Sequence, residues 1–286
     1  MRIEAMRVSN ADLHCHSRQS DGVLTPAQLA CRAHEGGVDL WALTDHDDVS
    51  GIAQARTAAQ SLGMEFLAGV EISVTWANRT VHIVGLGIDE EHTTLTEGLS
   101  ELRAQRDARA LLIAQKLADA GFERAYEGAL QHVQNPALVS RTHFARHLVT
   151  TGQVNTMQAA FDRYLGEQGS AYVATQWTSL KNAVQWIVAA GGVAVIAHPA
   201  RYQYSAIEFD ALFQEFRQHG GLAIEVHTGS HRPHENVQYA QVARQYKFLA
   251  SCGSDFHGPK DSRYDLGSVP ALPADLTPVW HALGLG

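Results

Sequence analysis

The chain alternates short, almost wholly apolar runs with stretches of helical length, and this alternation constrains the fold more than any other feature. "ADLHCH" (11–16) reads as a strand. "TPAQLACRAHEGG" (25–37) reads as a helix, with Thr25 as N-cap, Pro26 in the first turn and glycines at its end. "VDLWALTDHD" is a second strand and "GIAQARTAAQSLG" a second helix. "MEFLAGVEISVTW" and "RTVHIVGLGI" form a strand pair around a turn at Asn78-Arg79. Residues 93–175 are mainly helical and break the rhythm. It resumes with helix 178–190, strand "GVAVIAHP", helix 205–219, strand "LAIEVHT", helix 233–246 and strand "FLASCGSDFHG". Apolar strands separated by helices imply a parallel sheet covered on both faces, and the number of units implies a barrel. The expectation is an α/β barrel from residues 1–92 and 176–286, with a helical insertion, 93–175, covering its mouth.

The polar residues fall at the ends of these strands. In a strand, residues i and i+2 share a face, so His14 and His16 point one way and Cys15 the other. Asp255 and His257 in "SDFH" repeat that parity. His46 ends "LWALTDH", Glu71 sits in "GVEIS", His82 in "TVHIVG" and His198 in "VIAHP"; Asp21 lies in the loop after the first strand. In a βα barrel such C-terminal ends converge on one mouth. A single histidine at a strand end is more often a loop residue or a satisfied core group. Six histidines and three carboxylates at the same end of successive strands are not explained that way. Burying them together is costly unless something binds them, and divalent metal is the simplest compensation. Nitrogen and oxygen ligands without thiolate suit manganese, iron or zinc.

Composition narrows the class. No apolar run reaches membrane-spanning length, and "MRIEAMRVSNADL" lacks the apolar core of a signal peptide. Three cysteines, Cys15, Cys31 and Cys252, do not make a disulfide framework, so the expected compartment is the cytoplasm. A net charge of −8 argues against a nucleic-acid coat or a membrane-surface protein. It leaves room for an anionic substrate if local charge inverts the field. No feature calls for an obligate protein partner.

In order, "DLHCHS", "TDHD", "GVEIS", the histidine of "TVHIVG", "AHP" and "SDFH" resemble the motifs of the PHP (polymerase and histidinol phosphatase) superfamily. The resemblance spans about residues 11–90 and 175–260. It implies a distorted (β/α)7 barrel with up to three divalent ions, manganese foremost. It implies that Glu71 bridges two ions. His14, His16 and Asp255 would complete one of them, His82 and His198 the other, while Asp21, His46 and His257 would hold the third. The long insertion resembles that of a stand-alone bacterial subgroup of nucleoside 3′,5′-bisphosphate phosphatases, also linked to 5′-to-3′ trimming of RNA. The implied substrate is a small nucleotide, with short 5′-phosphorylated RNA as a further one.

A second phosphate needs cations outside the metal shell. Ser140, Arg141 and His143 precede or open a helix, and a helix start with an arginine is a ready anion site. The resemblance adds weight to Arg141 and His143. Arg201 starts three residues after His198 and ranks with Arg141; Lys116 ranks below them, since a helix lysine is usually solvated. Arg106 interrupts an apolar helix stripe and reads as a snorkelling surface side chain. His227 shares the inward parity of Glu225 and is the candidate general acid; an ordinary hydrogen-bonded histidine is the competing reading. Asp12 and Asp45 read as carboxylates that orient ligand imidazoles. His34, His92, His132, His147, His219, His231, His234 and His281 read as surface groups. The leading function is a metal-dependent 3′-phosphatase acting on nucleoside 3′,5′-bisphosphates such as pAp. The competing ones are an oligonucleotide phosphodiesterase, a histidinol phosphatase and a non-catalytic PHP module.

Overall fold

A computed structural model describes residues 8–285; residues 1–7, the start of the stretch weighed above against a signal peptide, and residue 286 lie outside the described residues. The strands are β1 (Ala11–Asp12), β2 (Leu40–Leu43), β3 (Glu65–Trp76), β4 (Arg79–Leu86), β5 (Thr178–Ser179), β6 (Val193–Ile196), β7 (Ala223–Thr228) and β8 (Leu249–Gly253). The sheet runs β1-β2-β3-β4-β6-β7-β8, with β5 pairing off this path against β3. It closes from β8 back to β1 through Leu13 N–H to the Cys252 carbonyl (3.0 Å) and Asp255 N–H to the His14 carbonyl (2.8 Å). The result is a seven-strand barrel. Gly253 permits the closure: a Cβ there would stand 2.4 Å from that of His14.

The barrel is not wholly parallel. β4 runs antiparallel to both β3 and β6. Its link to β3 is a two-residue turn, Ala77 and Asn78, both at positive φ, with Trp76 paired to Arg79. A tight hairpin must reverse chain direction, whereas helical crossovers preserve it. The turn sits one residue earlier than the sequence pattern implies.

The helices are α1 (Pro26–Glu35), α2 (Ile52–Ser61), α3 (Thr93–Asp119), α4 (Ala125–Leu130), α5 (Arg141–Thr150), α6 (Met157–Ala160), α7 (Leu180–Ala189), α8 (Ala206–Gln218) and α9 (Pro233–Tyr246). α1 starts where its signals lie: Thr25 Oγ1 accepts from Gln28 N–H, and Pro26 occupies the first turn. The barrel interior is filled by Leu13, Leu40, Ala42, Val84, Leu86, Val195 and Ala197, and Val279 and Trp280 of the C-terminal turn join that cluster.

Residues 93–175 hold α3 to α6 and a π-helical turn, Phe161–Leu165. Their own apolar cluster includes Ala110, Ile113, Leu117, Phe144, Leu148 and Leu165. The division falls inside α3, however. Leu95, Leu99 and Leu102 pack with the barrel's outer core, and only the later turns join the insertion.

Candidate functional site

Strand parity brings the nine expected ligands together. His14, His16 and Asp255 form one group of potential ligand atoms, all within 4.8 Å of one another. His16, Asp21, His46 and His257 form a second, His14, Glu71 and His198 a third, and His46, Glu71 and His82 a fourth. Glu71 is the common element of the last two. Its Oε1 lies 2.9 Å from His82 Nδ1 and 2.8 Å from His198 Nε2. Its Oε2 lies 2.8 Å from His46 Nδ1 and 3.3 Å from His16 Nε2. Yet that oxygen is buried without a hydrogen-bond partner, as are Asp21 Oδ1, His16 Nδ1, His46 Nδ1 and His198 Nδ1. Orphaned buried donors and acceptors are rare in folded proteins. Six imidazoles and three carboxylates converging in this way fit divalent cations.

The carboxylates carry their charge within this cluster. Burial disfavours the Glu71 carboxylate, but His82, His46 and His14 outweigh it and hold its pKa well below the usual range. Asp21 and Asp255 are likewise held low, against their burial, by His257 and by His14 respectively. Burial, with His257 and His46 alongside, pushes His16 down to about 3. Burial and Arg201 push His198 to about 3. Ionised carboxylates and the neutral imidazoles of His16 and His198 are the protonation states in which these groups bind metal; against their burial, Glu225 raises His14 well above its ordinary value and Asp21 raises His257 to about 9, so those two imidazoles would give up a proton to a bound cation.

The backbone that presents these ligands is held by buried carboxylates. Asp45 accepts from Ser17 N–H (2.7 Å), Ser17 Oγ–H (2.6 Å) and Ser20 Oγ–H (2.5 Å), pinning the loop that carries Asp21. Asp12 accepts from Ser254 N–H (2.8 Å) and Gly267 N–H (3.0 Å), fixing the approach to Asp255. Neither touches an imidazole, which corrects the role expected of both. That role belongs to Glu225: Oε1 takes the His14 Nδ1 contact at 2.6 Å, and Oε2 accepts the His198 N–H at 2.5 Å. Its inward parity is visible in the sequence; its partners, on two distant strands, are not. His198 and Asp255 adopt positive φ, a conformation costing ~1–3 kcal/mol each and characteristic of functional sites.

Beside the ligand cluster lies a pocket lined by Asp21, His46, His82 and His257 on one wall and by Arg106, Arg109, Arg141, Arg201 and Trp177 on another. Arg106 is not the surface residue expected. It is buried, its Nε donating to Asp47 Oδ2 (2.6 Å) and its Nη2 to Ser73 Oγ (2.7 Å). Arg201 reaches Asp255 at 3.4 Å. Arg141 and Arg109 have no carboxylate within ion-pair distance among the described residues: they donate to the carbonyls of Leu165 (3.2 Å) and Val173 (3.1 Å). Burial, then Arg141 and Arg106, lower Arg109 to about 9, and burial lowers Arg141 as well. Arg109 is absent from the residues the sequence singles out. It lies three residues from Arg106, so the helical repeat that aims one at the pocket also aims the other.

Of the other expected residues, Ser140 lines the pocket, and His143, Lys116 and His227 do not. Ser140 caps α5 and donates to Asp21 Oδ2 at 3.2 Å, joining the insertion to a ligand. His143 is turned into that cap, its Nδ1 accepting Ser140 N–H at 3.0 Å, behind the pocket wall. Lys116 is exposed and bound to the Tyr172 carbonyl (2.7 Å), away from the pocket. His227 joins none of the ligand groups; its Nδ1 lies 2.8 Å from the Pro270 carbonyl. A register shift between Glu225 and His227 breaks the alternation on which its inward aim was inferred. His231 is fully buried rather than superficial: its Nε2 accepts Ala200 N–H (3.3 Å), and its ring stacks on Tyr239.

The chain is 45% identical to a 3′,5′-nucleoside bisphosphate phosphatase of Chromobacterium violaceum over 96% of its length and 97% of that protein's. It is 41% identical to a 5′-3′ exoribonuclease of Haemophilus influenzae, over 94% and 97% of the two chains. A solved structure of a C. violaceum amidohydrolase, with sulfate bound and no metal, superposes with a TM-score of 0.93 at 45% identity, covering 96% of each chain. Residues 12–255 match the PHP domain, and with six motif blocks meeting at one barrel mouth, this chain belongs to the PHP domain family.

Proposed function

We propose that this protein is a divalent-metal phosphatase that removes the 3′-phosphate from nucleoside 3′,5′-bisphosphates such as pAp, leaving the nucleoside 5′-phosphate. The observation that carries the reading is the pair Arg109 and Arg141, two cations without carboxylate partners among the described residues, in a pocket that opens onto the ligand cluster. Such an arrangement binds a second anion at a fixed distance from the reacting one. The name of the C. violaceum relative supports the same substrate.

The nine ligands would hold up to three ions, manganese before iron or zinc, which when bound would polarise the phosphoryl oxygens and make a water nucleophilic at neutral pH. Arg201 borders the pocket beside Asp255, which supports it as the cation that would meet the reacting phosphate. Arg109 and Arg141 would take the 5′-phosphate, with Ser140 and the start of α5 behind them. Binding energy from that remote group orients the 3′-phosphate, so it should appear in turnover as well as in affinity. The exonuclease reading uses the same site and is supported by the H. influenzae relative. An arginine-lined pocket disfavours histidinol phosphate, whose amine is cationic, and nine aligned ligands disfavour a non-catalytic module. Among the described residues no helix is long and apolar enough to cross a membrane, and all three cysteines are free, which supports the cytoplasm as its compartment.

The test is phosphate release from pAp and from 3′-AMP at saturating manganese. The specificity constant for pAp should exceed that for 3′-AMP by about a hundredfold, the scale of one charge-assisted hydrogen bond. Comparable constants would reject the bisphosphate assignment and leave a general phosphatase.

A further inference from the structure

A single turn serves two of the groups at the barrel mouth. His198 follows β6 and leads into the 3-10 turn Pro199–Arg201, so one turn presents a ligand of the cluster and the cation beside Asp255. Both ends of this segment are tied. At its start the His198 N–H donates to Glu225 Oε2 (2.5 Å). At its end the Tyr202 hydroxyl donates to the Ala197 carbonyl and accepts from His82 N–H, each at 2.9 Å.

The middle needs a partner of its own, because the first N–H groups of a helical turn find no acceptor within it. Proline has none to offer, and the N–H groups of Arg201 and Tyr202 bond to the His198 and Pro199 carbonyls (3.0 and 3.2 Å). That leaves Ala200, whose N–H donates to Nε2 of His231 at 3.3 Å. His231 comes from the loop after β7, is fully buried and joins none of the ligand groups. Its Nδ1 lies 3.2 Å from the Val226 carbonyl. A carbonyl can only accept, so Nδ1 carries the hydrogen and Nε2 the lone pair. Burial lowers the His231 pKa to about 4, which keeps the ring neutral at pH 7. The ring stacks on Tyr239, with centroids 5.0 Å apart and planes at 24°. The backbone of His231 is braced as well, its N–H by the Thr228 carbonyl (3.1 Å) and its carbonyl by Arg263 Nη1 (3.0 Å). Arg201 has no such support. Its side chain is half exposed, and its one side-chain hydrogen bond among the described residues is the 3.4 Å contact with Asp255. The turn beneath it therefore sets its aim.

We propose that His231 is a positioning residue, whose Nε2 fixes Ala200 and so aims Arg201 at the reacting phosphate. The inference rests on the reading of Arg201 as the cation at that phosphate. It does not run through the metal ligands, because His198 is held separately by Glu225. Loss of Nε2 should displace Arg201 and leave bound ions in place.

The experiment uses His231→Phe, which keeps a ring to stack on Tyr239 but no acceptor, and His231→Gln, whose Oε1 can replace Nε2. Each is made in the wild-type chain and in Arg201→Ala, and assayed at saturating manganese. His231→Phe should lower kcat/KM roughly ten- to a hundredfold, the scale of a small misplacement of a group that orients the substrate. The loss should be equal on pAp and 3′-AMP, which share the reacting phosphate. His231→Gln should recover most of it. In Arg201→Ala, adding His231→Phe should cost less than about twofold, because residues that act as one unit are not additive. Affinity for inorganic phosphate, measured by calorimetry on manganese-loaded protein, should fall in the same non-additive way, while affinity for manganese stays unchanged. A loss that persists in Arg201→Ala, a parallel fall in manganese affinity, a loss confined to pAp, or no recovery in His231→Gln would overturn the proposal. So would unchanged kinetics in His231→Phe, or a melting temperature lowered by more than about 10 °C in both variants, which would make His231 part of the framework. Wild-type protein that binds phosphate but hydrolyses neither nucleotide would overturn the phosphatase reading, and the phosphate affinities would then decide this one.

Discussion

Replacing Arg109 with methionine tests whether the arginine pocket is built for an anion or for the fold. Burial and the neighbouring Arg141 and Arg106 hold the Arg109 guanidinium at about 9. Its folded pKa lies below its unfolded value, so keeping it charged at neutral pH costs stability. The penalty is complete below pH 9 and fades as pH rises toward the unfolded value. Allowing for solvent screening, it amounts to ~1–2 kcal/mol. Methionine relieves that repulsion. It also loses the Nε–H bond to the Val173 carbonyl, about 1 kcal/mol, and the packing of the guanidinium 5.4 Å from the Trp177 ring centroid, ~0.5–1 kcal/mol. These effects offset one another to within about 1 kcal/mol, so Tm should move by no more than about 4 °C. Binding of the remote phosphate has no such offset. A charge-assisted hydrogen bond in a partly desolvated pocket is worth ~1.5–3 kcal/mol, or a fall of roughly 10- to 150-fold in kcat/KM for pAp. Hydrolysis of 3′-AMP, which has no remote phosphate, should hardly change. The assay is phosphate release from both substrates alongside a thermal melt. Equal losses on the two substrates, joined to a marked drop in Tm, would refute the reasoning and make Arg109 part of the framework.

Two further outcomes follow from the ligand cluster. Dialysis against a chelator should abolish phosphatase activity, and elemental analysis after manganese is restored should find up to three ions; chelated, ion-free protein that remains active would contradict the metal reading, and Glu71→Ala should reduce the number bound. Glu225→Gln should weaken manganese binding about 10- to 100-fold by calorimetric titration, because His14 Nδ1 and His198 N–H meet different oxygens of the carboxylate and glutamine turns one of those acceptors into an NH2 donor; unchanged affinity would show that those two groups are oriented by other means.

What the sequence determined by itself is local. The alternation of apolar runs and helices specified a barrel, because each βα unit is decided within a few dozen residues by patterning and caps. Two-residue parity placed His14 with His16 and Asp255 with His257 on common faces, since a strand's pleat is a property of its own backbone. Shared strand polarity then put His46, Glu71 and His198 at one mouth, whereas His82, near the start of β4, reaches it because the hairpin reverses that strand. Contacts between distant segments were decided by tertiary structure alone. Arg106 read as a solvated arginine because its partners, Asp47 and Ser73, sit on other elements, and burial depends on what lies across the gap. Asp12, Asp45 and Glu225 are all buried acids near strand ends, and nothing in their neighbours along the chain says that only Glu225 reaches an imidazole. His227 had the right parity until the irregularity after Glu225 broke it. The β3–β4 strand pair and its turn were legible along the chain, and the structure moves the turn by one residue, to Ala77 and Asn78 in left-handed backbone. Periodicity fixes which face a residue takes; which group meets it there is a matter of packing, and packing is set by the whole chain at once.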